Sequence, residues 1–244
     1  MKNQKNIIEV EGLWKKFGSF AANKDLTFQV KAGEIFGFLG ANGAGKTTAI
    51  KILCGLWKPT SGKVKVSGFD VYTETNKIKT NIGYMSQKFS LYEDLTPVEN
   101  IRFYGGIYGL GKKVIRDRTE EALQNLKLEN VANSPVKSLP LGWKQKLSFT
   151  VAMVHKPKIV FLDEPTGGVD PITRRQFWNM IYEAANRGVT IFVTTHYMDE
   201  AEYCDRVSIM ADGEIKALDT PANLKLQFNA ETMNDVFLKL ARNG

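Results

Sequence analysis

Gly40-Ala41-Asn42-Gly43-Ala44-Gly45-Lys46-Thr47-Thr48 is the stretch on which the fold turns. It fits G-x-x-x-x-G-K-[ST], the pattern of a phosphate-binding loop. Glycines let the backbone turn tightly and bring successive N–H groups around an anion. Lys46 adds a mobile positive charge that reaches β- and γ-phosphates, and the Thr47 hydroxyl suits a Mg²⁺ ion bridging them. The flanks agree. Ile35-Phe36-Gly37-Phe38-Leu39 reads as a buried strand, and Thr47 to Leu53 as the first turns of a helix whose N-terminus favours negative charge. Nucleotide binding is the expectation from this stretch alone.

The bulk properties are compatible with that. At 244 residues the chain fits one large α/β domain or a domain with an inserted lobe. Hydrophobic content of 43% and charged content of 24% are ordinary for a globular protein. The sequence contains no run of 18 apolar residues to cross a membrane, and Ile7-Ile8-Glu9 after Lys2 and Lys5 is not the apolar core of a signal peptide. A cytosolic location is expected. Cys54 and Cys204 stand far apart with no C-x-x-C spacing, so they read as reduced structural cysteines. The net charge of +7 could answer nucleotide phosphate, anionic lipid or nucleic acid. With no block of five Lys/Arg, nucleic acid is not expected.

Outward from the loop, residues 6 to 11, 26 to 30 and 63 to 66 alternate apolar and polar, as strands of a half-exposed antiparallel sheet do. Between the first two lies Leu13-Trp14-Lys15-Lys16-Phe17-Gly18, where either Trp14 or Phe17 could stack on a base or simply pack. Asn81 to Gln87 reads as a short strand ending in a polar residue. Thr96 with Glu99 forms a capping box, with Pro97 at the first helical position, and Arg116 to Leu126 is a second helical stretch. An apolar helix follows residues 139 to 145 and ends before Pro157. Ile159-Val160-Phe161-Leu162 reads as a strand buried on both faces, ending in Asp163-Glu164. Carboxylates at the C-terminal end of a parallel strand sit where α/β folds bind ligands. Asp163 is placed to hold the Mg²⁺ shell and Glu164 to orient or deprotonate an attacking water. Arg174 to Asn186 is the next helix. Val189 to Thr194 is the next buried strand, ending at Thr195-His196, which puts His196 on the same rim as a γ-phosphate contact. His155 lies at a helix end and reads as structural. Met198 to Tyr203 starts a helix, Ala211-Asp212-Gly213 turns a hairpin, Pro221 opens the last helix, and the tail from 231 to 241 carries Met233, Val236, Phe237 and Leu240 at helical spacing.

Taken in order, these stretches resemble the ATP-binding subunits of ABC transporters over nearly the whole chain. The resemblance rests on Gly40 to Thr47, Gln87, the Leu-x-x-Gly-x-Lys-Gln run at 139 to 145, the strand and glutamate at 159 to 164, Pro165-Thr166-Gly167-Gly168-Val169-Asp170, and His196. It implies an α/β P-loop NTPase with a mostly parallel core sheet, an antiparallel β subdomain and a helical insert, all within one ATP-binding domain, 1–244. The core would be about 1–88 and 141–220, the insert about 89–140 and a C-terminal helical tail about 221–244. It also implies ATP and Mg²⁺, with Glu164, His196 and Gln87 catalytic. Thr47, Gln87 and Asp163 would lie at the metal, and Phe17, rather than Trp14, at the adenine. Gly40, Ala41, Asn42, Gly43, Ala44, Gly45, Lys46, Thr47, Thr48 and Asp163 would bind the nucleotide, and Gly142 would touch it across a dimer of two such chains, identical or different. Gln87 would couple to a membrane permease subunit, and Gly167 to Asp170 would cross the dimer interface.

One departure stands out. The family's usual Leu-Ser-Gly-Gly is Leu139-Pro140-Leu141-Gly142 here. Pro140 brings neither a hydroxyl nor an N–H, and a positive φ at Leu141 would cost about 1 kcal/mol or more. Hydrolysis is nevertheless expected, because Lys46, Asp163, Glu164 and His196 are intact. A non-hydrolysing partner subunit and a nucleic-acid-associated ATPase of the same superfamily are the alternatives. The branch resembled through Tyr84-Met85-Ser86-Gln87, Leu95 to Asn100 and Asp235-Val236-Phe237-Leu238 pairs with separate export permeases for drugs, lipids or polysaccharides. The chain stops where importer subunits often continue, which also suggests export, from the cytoplasmic face of the membrane.

Overall fold

A computed structural model describes residues 5–87 and 91–242. The expected core–insert boundary at 88–89 therefore lies outside the described residues, as do 1–4 and 243–244 at the ends of the expected spans.

The first layer is antiparallel. Strand β1 (Asn6–Phe17) pairs with β2 (Phe20–Lys31) on one side and, beyond β3 (Ile35–Gly40) and α1 (Lys46–Leu53), with β4 (Ser61–Val66) on the other; β5 (Phe69–Asp70) completes the order β2-β1-β4-β5. Alternation in the sequence becomes alternation in burial, with Ile8, Val10, Phe28 and Val30 inward. Leu13 to Phe17, expected as a connection, instead prolongs β1 through irregular pairs to a tight turn at Gly18. Two-strand pairing with β2 and β4 overrides the weak alternation of that stretch.

The second sheet follows. Helix α2 (Thr75–Asn81) leads into β6 (Ile82–Met85). Helices α3 (Pro97–Ile107) and α4 (Lys112–Leu126) come next, then α5 (Leu141–Met153) and β7 (Ile159–Asp163). Helix α6 (Pro171–Asn186) precedes β8 (Thr190–Thr195), and the hairpin β9 (Arg206–Ala211) and β10 (Glu214–Asp219) closes the order β10-β9-β3-β8-β7-β6. From β9 to β6 neighbouring strands are parallel; only β10 is antiparallel. Continuous apolar runs in β3, β7 and β8 are buried along their whole length, as strands covered on both faces must be. Asp212 and Gly213 both take left-handed φ, 52° and 81°, matching a two-residue hairpin turn.

Phe28 of β2 joins the sheets. Its ring lies 5.7 Å from Phe36 and 5.5 Å from Phe38 of β3, and 6.2 Å from Phe192 of β8. The helical section has its own apolar cluster, including Leu91, Ile101, Ala122 and Val136, and α5 feeds both sides: Leu147 and Val151 face that cluster, Phe149 the parallel sheet. The capping box at Thr96 and Glu99 forms as expected. Two helical expectations need correction. Met198–Tyr203 is a 3₁₀ turn rather than an α-helix, and Pro221 opens α7 (Pro221–Gln227), after which the chain forms a separate α8 (Met233–Arg242). The turns of Met198–Tyr203 close through i→i+3 bonds, Glu200 N–H to the Tyr197 carbonyl at 3.2 Å and Cys204 N–H to the Ala201 carbonyl at 3.1 Å, the tighter winding used in connectors.

Candidate functional site

Register builds the site. Leu39 sits opposite Thr195, Thr194 opposite Asp163, and Leu162 opposite Met85. The C-terminal ends of β3, β8, β7 and β6 are thus level, and whatever follows each strand arrives on one rim: the loop 40–48, His196, Glu164 and, two residues on, Gln87. Open α/β sheets bind ligands at this edge.

The loop is shaped by close approach. Gly45 has φ 99°, and a Cβ there would be driven into the Ala22 carbonyl and lie 2.6 Å from Asn23 Nδ2. Asn23, buried on β2, donates to the Gly45 carbonyl at 3.1 Å and fastens the loop to the antiparallel sheet. Lys46 is buried. Its Nζ donates to the carbonyls of Gly40 (2.7 Å) and Ala41 (3.1 Å) and lies 3.3 Å from Glu164 Oε1. Ala41, Asn42 and Gly43 are exposed at the loop's tip, while Ala44 is buried and Thr48 half-buried on α1.

Asp163 is 1% exposed. Its Oδ1 accepts hydrogen bonds from Thr194 (2.7 Å) and Thr47 (3.2 Å), and its Oδ2 is buried without a hydrogen-bond partner among the described residues. Burial pushes its pKa up, against the two threonine hydrogen bonds. A hydroxyl, a carboxylate and an unpartnered oxygen in one place fit Mg²⁺, which takes few protein oxygens and completes its shell with water and phosphate. Accordingly, no cluster of three His, Cys, Asp or Glu able to cage a metal is found among the described residues.

Glu164 is the hub. It takes a left-handed φ of 50°, uncommon for glutamate, and its N–H is held by the Thr194 carbonyl and hydroxyl, both at 3.1 Å. Its Oε1 faces Lys46. Its Oε2 accepts from Gln87 Nε2 at 3.0 Å and meets His196 Nδ1 at 3.1 Å. A carboxylate only accepts, so Nδ1 carries the hydrogen and Nε2 is left for another partner. Beside them opens a cavity of about 200 Å³ lined by Ser86, Gln87, Leu141, Gln145 and Glu164.

Lys46, Thr47, Asp163, Glu164, His196 and Gln87 are therefore brought together. Phe17 is carried by the other sheet, but the β1–β2 hairpin that bears it also bears Ala22 and Asn23, which press on Gly45. The Phe17 ring is 45% exposed, with Trp57 edge-on at 5.3 Å and Lys15 Nζ at 4.9 Å. Trp14 carries Lys16 Nζ 5.0 Å from its own ring. Gly142 lies in the first turn of α5, and its missing side chain serves α6: a Cβ would stand 2.5 Å from Thr173 Cγ2. The strain considered for Leu141 does not arise. It is the first helical residue of α5 and is not among the positive-φ residues.

Thr194 and Asn23 escaped the sequence reading. Their signal was a polar side chain at an inward position of a strand, visible only once the neighbouring strand is known. His155 is structural, as expected, but strongly engaged. Its Nε2 donates to the Ile82 carbonyl at 2.9 Å, its ring stacks on Tyr108 at 3.6 Å, and burial lowers its pKa to about 4. Cys54 and Cys204 are both buried and free.

Known proteins are similar to this chain in sequence and in fold. The family described as "ABC transporter" matches residues 23–167. The "probable multidrug ABC transporter ATP-binding protein YbhF" of Escherichia coli (strain K12) is 47% identical over 239 residues, covering 96% of this chain and 41% of that protein. The chain thus spans about two-fifths of that relative's length. The "linearmycin resistance ATP-binding protein LnrL" of Bacillus subtilis (strain 168) is 35% identical over 228 residues, 93% of this chain and 73% of that protein. Among solved structures, an ATP-binding subunit of an ABC transporter superposes with a TM-score of 0.87 at 29% identity, over 96% of this chain and 99% of the other. A dimeric post-hydrolysis state of the ATP-binding cassette MJ0796 with ADP and Pi superposes with 0.79 at 27% identity, over 87% and 98%.

Proposed function

The chain belongs to the ABC transporter family, and we propose that it binds and hydrolyses Mg²⁺-ATP in a dimeric sandwich to drive export through separate permease subunits. The observation carrying the hydrolytic part is the contact set of Glu164, which meets Lys46, Gln87 and His196 at 3.3, 3.0 and 3.1 Å. The loop N–H groups and Lys46 bind the β- and γ-phosphates. Thr47 and Asp163 would hold Mg²⁺, which supplies charge neutralisation on the phosphate oxygens. A phosphate oxygen reaching Lys46 competes with Glu164 for Nζ and so leaves the carboxylate to the water. Glu164 accepts the proton of the attacking water, a role contributing about 10²–10⁴ in rate. Gln87 and the His196 Nδ1–H fix its Oε2, and the imidazolium form of His196, which carries a second N–H at Nε2, donates to the γ-phosphate. Phe17 stacks on the adenine, and Gly142 approaches the nucleotide of a second ATP-binding subunit.

Export of a drug, lipid or polysaccharide, pairing with permeases and a place on the cytoplasmic face of the membrane belong to the same proposal; the words multidrug and linearmycin resistance in the relatives' names support the drug class. No helix among the described residues is long and apolar enough to cross a membrane. The test is the Mg²⁺-ATPase rate of wild type and Glu164→Gln, with the size of the variant measured with and without ATP. Turnover in wild type, and an ATP-dependent dimer in the variant, are expected. Absence of turnover even with the permease present overturns hydrolysis.

A further inference from the structure

Glu164 and His196 follow different strands, β7 and β8, and their 3.1 Å contact depends on how two separate loops are held. Resting on the hydrolytic reading above, we propose that Glu200 and Arg174 are positioning residues that set the spacing between Glu164 and His196. Glu200 is fully buried, and its Oε1 accepts the hydroxyl hydrogen of Thr166 at 2.6 Å. Thr166 belongs to the turn that begins at Glu164, closed by the Gly167 N–H on the Glu164 carbonyl at 3.2 Å. Arg174, from the first turn of α6, reaches the other loop. Its guanidinium lies 4.1 Å from the Tyr197 ring centre and 3.4 Å from Asp199 Oδ2, and its Nε is 3.7 Å from Glu200 Oε1. Tyr197 in turn lies against the His196 ring, 4.2 Å between centres. The contacts thus run Glu164, His196, Tyr197, Arg174, Glu200, Thr166 and back to Glu164.

The pairing is poor as a stabiliser. At 3.7 Å the Arg174–Glu200 contact is too long for a hydrogen bond, and Glu200 Oε2 and Arg174 Nε are buried without hydrogen-bond partners among the described residues. Apolar groups of the same volume at such a place are often neutral or stabilising, so a role in fixing geometry accounts for it better. On the far side, Gln145 of α5 donates to the Gly167 carbonyl at 3.1 Å, so the turn is gripped from two directions.

The test needs no hydrolysis. The chain has two histidines, so its ring C–H signals in NMR fall into two sets. Glu164→Gln provides the reference for an altered Glu164–His196 contact. In Thr166→Val and Glu200→Ala the His196 signals are expected to move in the direction of that reference while those of His155 stay, reporting an intact fold; Thr166→Ser, which keeps the hydroxyl, stays at wild type. In parallel, kcat falls about tenfold or more with the KM for ATP within about threefold, because misplacement affects the transition state more than binding. Folded Thr166→Val and Glu200→Ala with His196 signals at the wild-type position overturn the proposal. Shifted His196 signals in a protein that never hydrolyses ATP support the positioning and overturn the hydrolytic reading instead.

Discussion

The N-termini of α1 and α5 lack side-chain caps, with Gly45 and Pro140 at their cap positions. Each leaves backbone N–H groups and a partial positive charge for something else to answer. Around α1 the chain itself supplies the charged and polar neighbours of a phosphate site: Lys46 is buried beneath the loop carbonyls, and Asp163, Glu164 and Thr194 arrive from neighbouring strands. Around α5 the first residues, Pro140 and Leu141, are exposed and apolar. An uncapped helix becomes a reactive centre only where tertiary neighbours complete it. Under the proposed sandwich, α5 is completed by the nucleotide bound to another subunit.

The strongest way to break this contrast is at the completed end. Glu164→Gln is expected to lower the ATPase rate by about 10²–10⁴ while leaving ATP affinity nearly unchanged, read by steady-state turnover and fluorescent nucleotide titration. Lost affinity with an unchanged rate would place the chemistry elsewhere. Next comes glycine against glycine. Gly45→Ala combines a left-handed φ with a clash on the Ala22 backbone, and about 3 kcal/mol of stability should be lost. Gly142→Ala meets a threonine side chain rather than backbone; Thr173 is tied to Asp170 Oδ2 at 2.6 Å, but alanine's better helix propensity offsets part of the clash, and about 1 kcal/mol is expected. Urea unfolding of both variants measures the difference; equal losses would mean that α5 is as rigidly framed as α1.

The far end of α5 gives a pH-dependent effect. His155 is held neutral by burial with its pKa at about 4, against 6.5 when exposed. The unfolded chain therefore binds the extra proton first, and this contribution is complete above pH 6.5 and lost as pH falls toward 4. The loss is up to about 3 kcal/mol and should be reduced in His155→Gln, as unfolding curves across that window will show. Smallest of all, Pro140→Ser adds a hydroxyl cap to α5 and should raise stability by about 0.5–1 kcal/mol. A change in melting temperature in the opposite direction would mean that the proline's fixed φ of −54° matters more than capping.

Much of this was legible from residue order. The apolar run before Asp163-Glu164 and the β-branched, aromatic run ending in Thr195 read as strands buried on both faces, and the capping box at Thr96 marked its helix within a residue. Reading faltered where pairing decides. Leu13 to Phe17 became strand because two neighbours bond to β1, and Met198–Tyr203 wound as a 3₁₀ turn through i→i+3 bonds. The roles of Thr194 and Asn23 were hidden, since a polar side chain in a strand is informative only once its facing residue is known.

The sequence by itself determined the groups available: a phosphate-loop pattern, an Asp163-Glu164 pair and a histidine, each after an apolar strand, because local pattern fixes strand ends. Only the tertiary structure decided that these ends are level and adjacent, since the order β3-β8-β7-β6 and its register depend on pairing between strands that intervening helices separate in the chain. It also decided that Gly142 is needed by Thr173 and that Leu141 is unstrained, because clash and backbone angle are properties of neighbours in space and not in sequence.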